Sequence, residues 1–393
     1  MREDGAARPS RRLRVAIYAR QQARDHPYFT LFHGALEARG VSVSGDVTMT
    51  LPWLKAHRGR IDAVHLHWPE SIWRDKAFAS RGMVARAVHA GRRLLRLARF
   101  LREARRLGVA RVWTVHNLEP HEGAWPWDGL GYALVARESD LIICHSRWSL
   151  QEVRRQYRVR GRSVVMPMGT LHAAYPPPRA REGVLAGLGL DPRRPVVSCL
   201  GRLRGYKGLD LACEAIRRLD GRVQLMIAGP SQRGFDVGPL QEAVRRTPAA
   251  FLLARKLTDQ EFADVMAASD AVLLPYRTIT GSAVLLTALG FGCGVVTADL
   301  PYFREILDGE PDAAATVPSA DSAAWADAIS GYLSRPPHAR RQAALRVADR
   351  YSWPRCVEPV VEALDAVTAS SSARCDGEPL QRASVPSGGR EPS

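Results

Sequence analysis

No two cysteines in this chain have the spacing of a Cys-x-x-Cys clip. Cys144, Cys199, Cys213, Cys293, Cys356 and Cys375 are scattered through 393 residues, and no histidine cluster adds zinc-ligand spacing. Neither a disulfide framework nor a structural zinc site is therefore expected. Several of these cysteines lie inside apolar runs, where the thiol acts as a small hydrophobe, and a reducing cytoplasm is the expected setting. No apolar run approaches the ~18–20 residues that a membrane-crossing helix needs. Met1–Arg12 is polar and lacks the apolar core of a secretory signal. Acid is scarce: Asp+Glu number 40 against Lys+Arg 56, a formal net charge of +16. Such a surface attracts phosphates. Nucleic acid is not the expected source, because no helix-turn-helix, zinc-finger or RNA-binding signature is present.

What is present suits two globular domains. Apolar residues make up 46% of the chain, enough for substantial cores at roughly 100–200 residues per domain. Short apolar runs without strict alternation predict strands at Leu13–Ala19, Ala63–His67, Val109–His116, Leu141–Cys144 and Ser163–Met166. A second series follows at Pro195–Leu200, Val223–Ala228, Phe251–Leu253, Ala271–Leu274 and Gly294–Thr297. Strands buried on both faces and joined by helix-length stretches make the class α/β with parallel sheets. The series breaks at a Pro-rich stretch, so residues 13–172 and 195–350 are read as doubly wound domains with 173–194 as linker. Residues 351–368 are read as a closing helix that crosses back to the first domain, and 1–12 and 369–393 as disordered tails. In such sheets ligands bind beyond the carboxyl ends of the strands.

Two loops at such ends suit an anion. Gly201-Arg202-Leu203-Arg204-Gly205-Tyr206-Lys207-Gly208 follows a strand, and Arg202 and Lys207 place two cations where one diphosphate would lie. Pro275-Tyr276-Arg277-Thr278-Ile279-Thr280-Gly281-Ser282 follows another and precedes a helix. Thr280 or Ser282 would cap that helix, whose free N–H groups favour an anion. In the first half, Trp113-Thr114-Val115-His116-Asn117-Leu118-Glu119-Pro120-His121-Glu122 crowds two histidines and two acids at a strand end. His116 and Glu122 are the candidate general bases, with His121 orienting either. His65-Leu66-His67-Trp68-Pro69-Glu70 ends another strand. There Trp68 offers a ring for stacking on a sugar, and His-x-His without a third ligand does not make a metal site.

Gly201–Gly208, Leu274–Ser282 and Gly292–Val296 resemble the donor half of GT-B glycosyltransferases, in particular group 1 bacterial enzymes that build exopolysaccharides and glycolipids. The resemblance runs from about Leu13 to Leu364. It implies two Rossmann-like domains facing a cleft, with Arg202 and Lys207 on the donor diphosphate. Gly201, Tyr276, Thr280, Gly281, Ser282 and Glu305 are the other implied donor contacts, and Tyr28, His67, Trp68 and Asn117 lie on the acceptor side. Many retaining members carry two glutamates eight positions apart, but here those positions hold Ile279 and Thr287. The chain also lacks Asp-x-Asp, the metal–diphosphate motif of the other main glycosyltransferase fold, so neither metal nor cofactor is expected.

The expected activity is therefore transfer of a sugar, from GDP-mannose or a UDP donor, to a lipid-linked glycan or polysaccharide, with inversion. A nucleotide-sugar epimerase and a non-catalytic nucleotide-sugar-binding protein are the alternatives. Between Arg81 and Arg111, arginines interleave with leucines in a basic amphipathic helix suited to an anionic membrane surface. The expected location is accordingly the cytoplasm, peripheral on the inner face of the cell membrane.

Overall fold

The computed structural model describes residues 12–19, 26–45, 47–74, 82–118, 125–232 and 234–375. They form two six-stranded sheets, all parallel. The first contains β1 (Arg14–Tyr18), β2 (Ser42–Ser44), β3 (Ala63–His67), β4 (Ala110–Val115), β5 (Leu141–Cys144) and β6 (Arg162–Val165), in the order β2-β1-β3-β4-β5-β6. The second contains β7 (Val196–Leu200), β8 (Gln224–Ala228), β9 (Ala250–Leu253), β10 (Ala271–Leu274), β11 (Val295–Ala298) and β12 (Ala314–Val317), in the order β12-β11-β10-β7-β8-β9.

Each sheet is covered on both faces, which is why its strands read as continuous apolar runs. Alternation along a strand sends neighbours into different cores. In β4, Ala110 and Val112 join the core that also holds Phe29, Phe32 and Trp353, while Trp113 and Val115 join the one that holds Trp73 and Phe100. The second sheet divides its strands between two cores in the same way.

The stretch read as linker contains a helix, Arg181–Gly187. Its Leu185 is buried in the second domain's core. Arg179 and Arg181 tie this segment to Asp264 and Asp270 by ion pairs of 2.7 and 2.6 Å. The final helix, Trp353–Cys375, continues beyond the expected boundary at 368 and packs Val357, Val360 and Leu364 against the first sheet's core. Its Trp353 seats flush on Gly169, where an added Cβ would strike the indole, and its Nε1–H donates to the Thr170 carbonyl at 2.9 Å.

Candidate active site

The loop after β7 is shaped by glycine. Gly201 and Gly208 have φ of 89° and 61°, in the left-handed region. A Cβ on Gly208 would collide with the carbonyl of Pro275, so this glycine allows the loops after β7 and β10 to meet. Between them lies a cavity of about 270 Å³, lined by Gly201, Arg202, Arg204, Lys207, Tyr276 and Ser282 of the second half together with His26 of the first and Tyr175 of the segment that joins them. Ser282 caps the helix Ala283–Gly290, its Oγ accepting from the Leu285 N–H at 3.2 Å.

The cavity's electrostatics are one-sided. Three cations line it, and no carboxylate does among the described residues. Lys207 is 5% exposed, and its Nζ donates to the Leu200 carbonyl at 2.8 Å. Burial, aided by the nearby Arg204 and Arg202, lowers its pKa to about 8, with Cys199 opposing. Arg202 is exposed. Arg204 did not figure among the sequence candidates, yet its Nε is buried with no hydrogen-bond partner. A buried donor of this kind is stabilised by an arriving acceptor. Ile279 and Thr287, which stand at the family's glutamate positions, both line the cavity. The Thr287 hydroxyl donates to the Ala283 carbonyl at 2.7 Å.

Two expected donor contacts are engaged elsewhere. Thr280 donates through Oγ1 to the His116 carbonyl at 3.1 Å, joining the second half to the first. Glu305 accepts from the N–H groups of Arg147 and Trp148 at 2.8 and 3.3 Å. Its carboxylate thus sits on the amino end of the helix Arg147–Gln156, where the helix dipole favours it. Neither residue lines the cavity. Gly281 does line it, and a Cβ there would lie 3.9 Å from that of His145.

On the first sheet, three histidines sit side by side at the carboxyl ends of β3, β4 and β5. His67 Nδ1 is 2.8 Å from His116 Nε2, and His116 Nδ1 is 3.2 Å from His145 Nε2. His145 Nδ1 is 3.0 Å from the Met166 carbonyl. Burial pushes the pKa of His145 down to about 4 and those of His67 and His116 well below the usual histidine value, so all three are neutral. One set of tautomers then satisfies the chain. A carbonyl only accepts, so His145 Nδ1 carries a proton. Its bare Nε2 takes the proton of His116 Nδ1, and the bare Nε2 of His116 takes that of His67 Nδ1. The chain ends on His67 Nε2, which is buried without a partner.

This arrangement corrects three sequence assignments. His116 uses both ring nitrogens and has no free lone pair for an acceptor hydroxyl; it is held in place and is not itself a free base. His67 and Tyr28 are 0% and 2% exposed, too deep to meet an acceptor. Tyr28 packs edge-on to His116 and Trp353, with ring centroids 5.4 Å away in both cases. Trp68 is half-buried with φ 47°, a strained conformation for a bulky residue. It stacks on His116 at 4.1 Å and 18°. Asn117 is half-buried beside it in sequence, whereas His121 and Glu122 lie outside the described residues. His145 was not a candidate either, although it follows β5 as His116 follows β4.

Residues 194–335 match the family described as glycosyl transferases group 1. Sucrose-phosphate synthase from Thermosynechococcus elongatus superposes with a TM-score of 0.68 at 16% identity, over 91% of this chain and 100% of that one. HepE of Anabaena, solved with UDP and glucose, gives 0.67 at 14%, over 90% and 100%. Residues 194–335 form a group 1 glycosyltransferase domain within a chain of the GT-B fold. The enzyme is 26% identical over 290 residues to α-maltose-1-phosphate synthase of Mycolicibacterium smegmatis, covering 67% of this chain and 74% of that one. It is 27% identical over 312 residues to GDP-mannose:glycolipid 4-β-D-mannosyltransferase of Xanthomonas campestris, covering 75% and 77%. It is 26% identical to D-inositol 3-phosphate glycosyltransferase of Rhodococcus opacus, over 67% of this chain but only 64% of that relative, less than two thirds of its length.

Proposed function

We propose that the enzyme transfers a hexosyl group from a nucleoside-diphosphate sugar, with GDP-mannose the first donor to try, to a lipid-linked glycan, inverting the anomeric centre. The three-cation, carboxylate-free cavity carries this reading. When the glycosidic bond to phosphate breaks, the departing nucleoside diphosphate gains a negative charge, and Lys207, Arg202 and Arg204 are placed to stabilise it. GDP-mannose is put first because the glycolipid mannosyltransferase that is 27% identical is named for that donor. UDP-glucose is the second donor, on the strength of the UDP-bound structural neighbours. With His116 engaged at both nitrogens, the acceptor proton falls to Glu122, while His116 positions the cleft floor beneath the sugar. Incubation with a labelled donor panel and membrane lipid extract, followed by NMR of the product, tests the whole reading. Opposite anomeric configurations in donor and product are expected; retention refutes the inverting mechanism, and free nucleotide without glycosylated lipid refutes transfer.

Fixed cations make a divalent ion unnecessary for this leaving group. Turnover should persist in excess chelator, within about twofold, and complete loss restored by magnesium or manganese would overturn the role given to Arg202, Arg204 and Lys207.

The acceptor's lipid calls for a membrane surface, and the helix Met83–Arg106 suits one. Val84, Val88, Arg92, Leu95, Arg99, Arg102 and Arg106 follow each other at steps of three and four along one face, all exposed. Val84 is 78% and Leu95 61% exposed, while Leu97, Phe100 and Leu101 on the other face are buried. The exposed line begins with Val84 and Val88 and ends with Arg99, Arg102 and Arg106. Reversing charge at Arg92, Arg96 and Arg99 should release the folded protein from anionic vesicles at physiological salt; unchanged binding would make the helix purely structural.

A further inference from the structure

At the opposite end of the first sheet, the amino ends of β4, β5 and β6 enclose a second cavity of about 300 Å³. Arg105, Arg111, Arg137, Arg160 and Arg162 line it, with Asp140 the sole carboxylate in that lining. Arg111 is already matched: its guanidinium holds Asp140 at 2.9 Å and Glu138 at 3.3 Å. Arg137 reaches Glu138 through Nη2 at 3.1 Å, but its Nε is buried with no partner. Arg105, Arg160 and Arg162 are exposed and have no ion pair among the described residues. Five cations against Asp140 and Glu138 leave three positive charges facing one small space.

The loop that carries two of them is fitted closely. Gly161 lies so near the carbonyls of Ser139 and Asp140 that a Cβ would collide with both, and the Arg162 N–H donates to the Asp140 carbonyl at 2.8 Å. Arg160 and Arg162 are thereby brought to the cavity on either side of a glycine. Guanidinium forks around a concave space are suited to phosphate oxygens.

Arg105 lies on the helix whose exposed line was described above, at its basic end. We infer that this cavity is a binding site for the phosphate of an anionic lipid headgroup, filled when the helix lies on a membrane. The inference rests on the membrane reading of that helix. It adds a specific phosphate contact remote from the cleft, where the helix alone would supply only diffuse attraction.

The full-length enzyme is tested with phosphatidylcholine vesicles with and without phosphatidylglycerol, and separately with glycerol phosphate and inorganic phosphate. The variants are Arg160→Ser with Arg162→Ser, and Val84→Ser with Leu95→Ser. Removing the two pocket arginines should weaken binding to phosphatidylglycerol vesicles ~25-fold, about fivefold for each basic residue at such a surface. Glycerol phosphate should protect the wild type but not this variant from thermal unfolding, and turnover on a soluble acceptor should be unchanged. If the pocket variant binds vesicles like the wild type while the helix variant detaches, the membrane reading stands and this site is overturned. If inorganic phosphate binds as well as glycerol phosphate and vesicle binding ignores the pocket, the occupant is free phosphate and the lipid assignment is overturned. If the wild type shows no preference for phosphatidylglycerol, the membrane reading and the lipid site fall together.

Discussion

Replacing Lys207 by methionine should lower kcat/KM by ~10²-fold or more while leaving the protein folded. A charge-assisted hydrogen bond contributes about 1.5–3 kcal/mol, roughly tenfold to a hundredfold, and here the ammonium is buried, where water screens it least. The folded pKa of about 8 lies below the 10.5 of a free lysine because burial disfavours the charge. Holding that cation near neutral pH therefore costs the folded state stability, and Lys207→Met should unfold at the same temperature as the wild type or higher at pH 7. Donor binding needs the charged form. Wild-type donor affinity should fall as pH rises through about 8, and the methionine variant should lose that dependence. Arg204→Gln should act differently. If its orphan Nε chiefly meets the charge that develops on the leaving group, kcat drops ~10-fold while donor affinity stays within about threefold. Calorimetric donor titrations across pH, with steady-state kinetics, decide both cases. Normal donor affinity in Lys207→Met would remove this loop from the site.

How far this site can be read from sequence depends on which contacts are local. The loop after β7 carries its glycines and cations within eight consecutive residues, so Arg202 and Lys207 were legible. Arg204 reads in the sequence as one more basic residue, and only the fold makes it line the cavity with its Nε buried. The inner strands were legible because burial on both faces leaves an unbroken apolar run. The two strands that escaped, β2 and β12, are edges of their sheets. Ser42-Val43-Ser44 and Ala314-Ala315-Thr316-Val317 pair on one side only and carry little apolar signal. The helix Arg181–Gly187 contributes only Leu185 as a buried residue, too little for a periodic pattern, and its ion-pair partners lie more than eighty residues away. The histidine chain is least legible of all. His67, His116 and His145 become neighbours only through the pairing of β3 with β4 and β4 with β5. Which nitrogen carries each proton follows from a carbonyl at the far end.

Replacing His145 by leucine should therefore disable the enzyme, although the residue is 1% exposed and meets no substrate. The change strands the Nδ1–H of His116 and the carbonyl of Met166, and each buried group left without a partner costs about 1–3 kcal/mol. His116 would then be free to turn beneath Trp68, and turnover should fall ~10-fold or more. His145→Gln separates this from simple loss of packing, because the amide N–H can donate to Met166 while its carbonyl accepts from His116. Glutamine should restore most of the stability and activity; equal damage from both substitutions would refute the assigned tautomers. The same histidine sets an acid limit. Its folded pKa of about 4 lies below the unfolded 6.5, with burial the main cause and the bond to Met166 opposing. Between those values the unfolded chain binds the extra proton, so stability is intact above pH 6.5 and declines as pH falls towards about 4. The slope from this residue is about 1.4 kcal/mol per pH unit, and His65, lowered by burial to about 3, adds to it. Thermal unfolding of wild type and His145→Gln between pH 4 and 7 measures the difference: the glutamine variant should show the shallower loss.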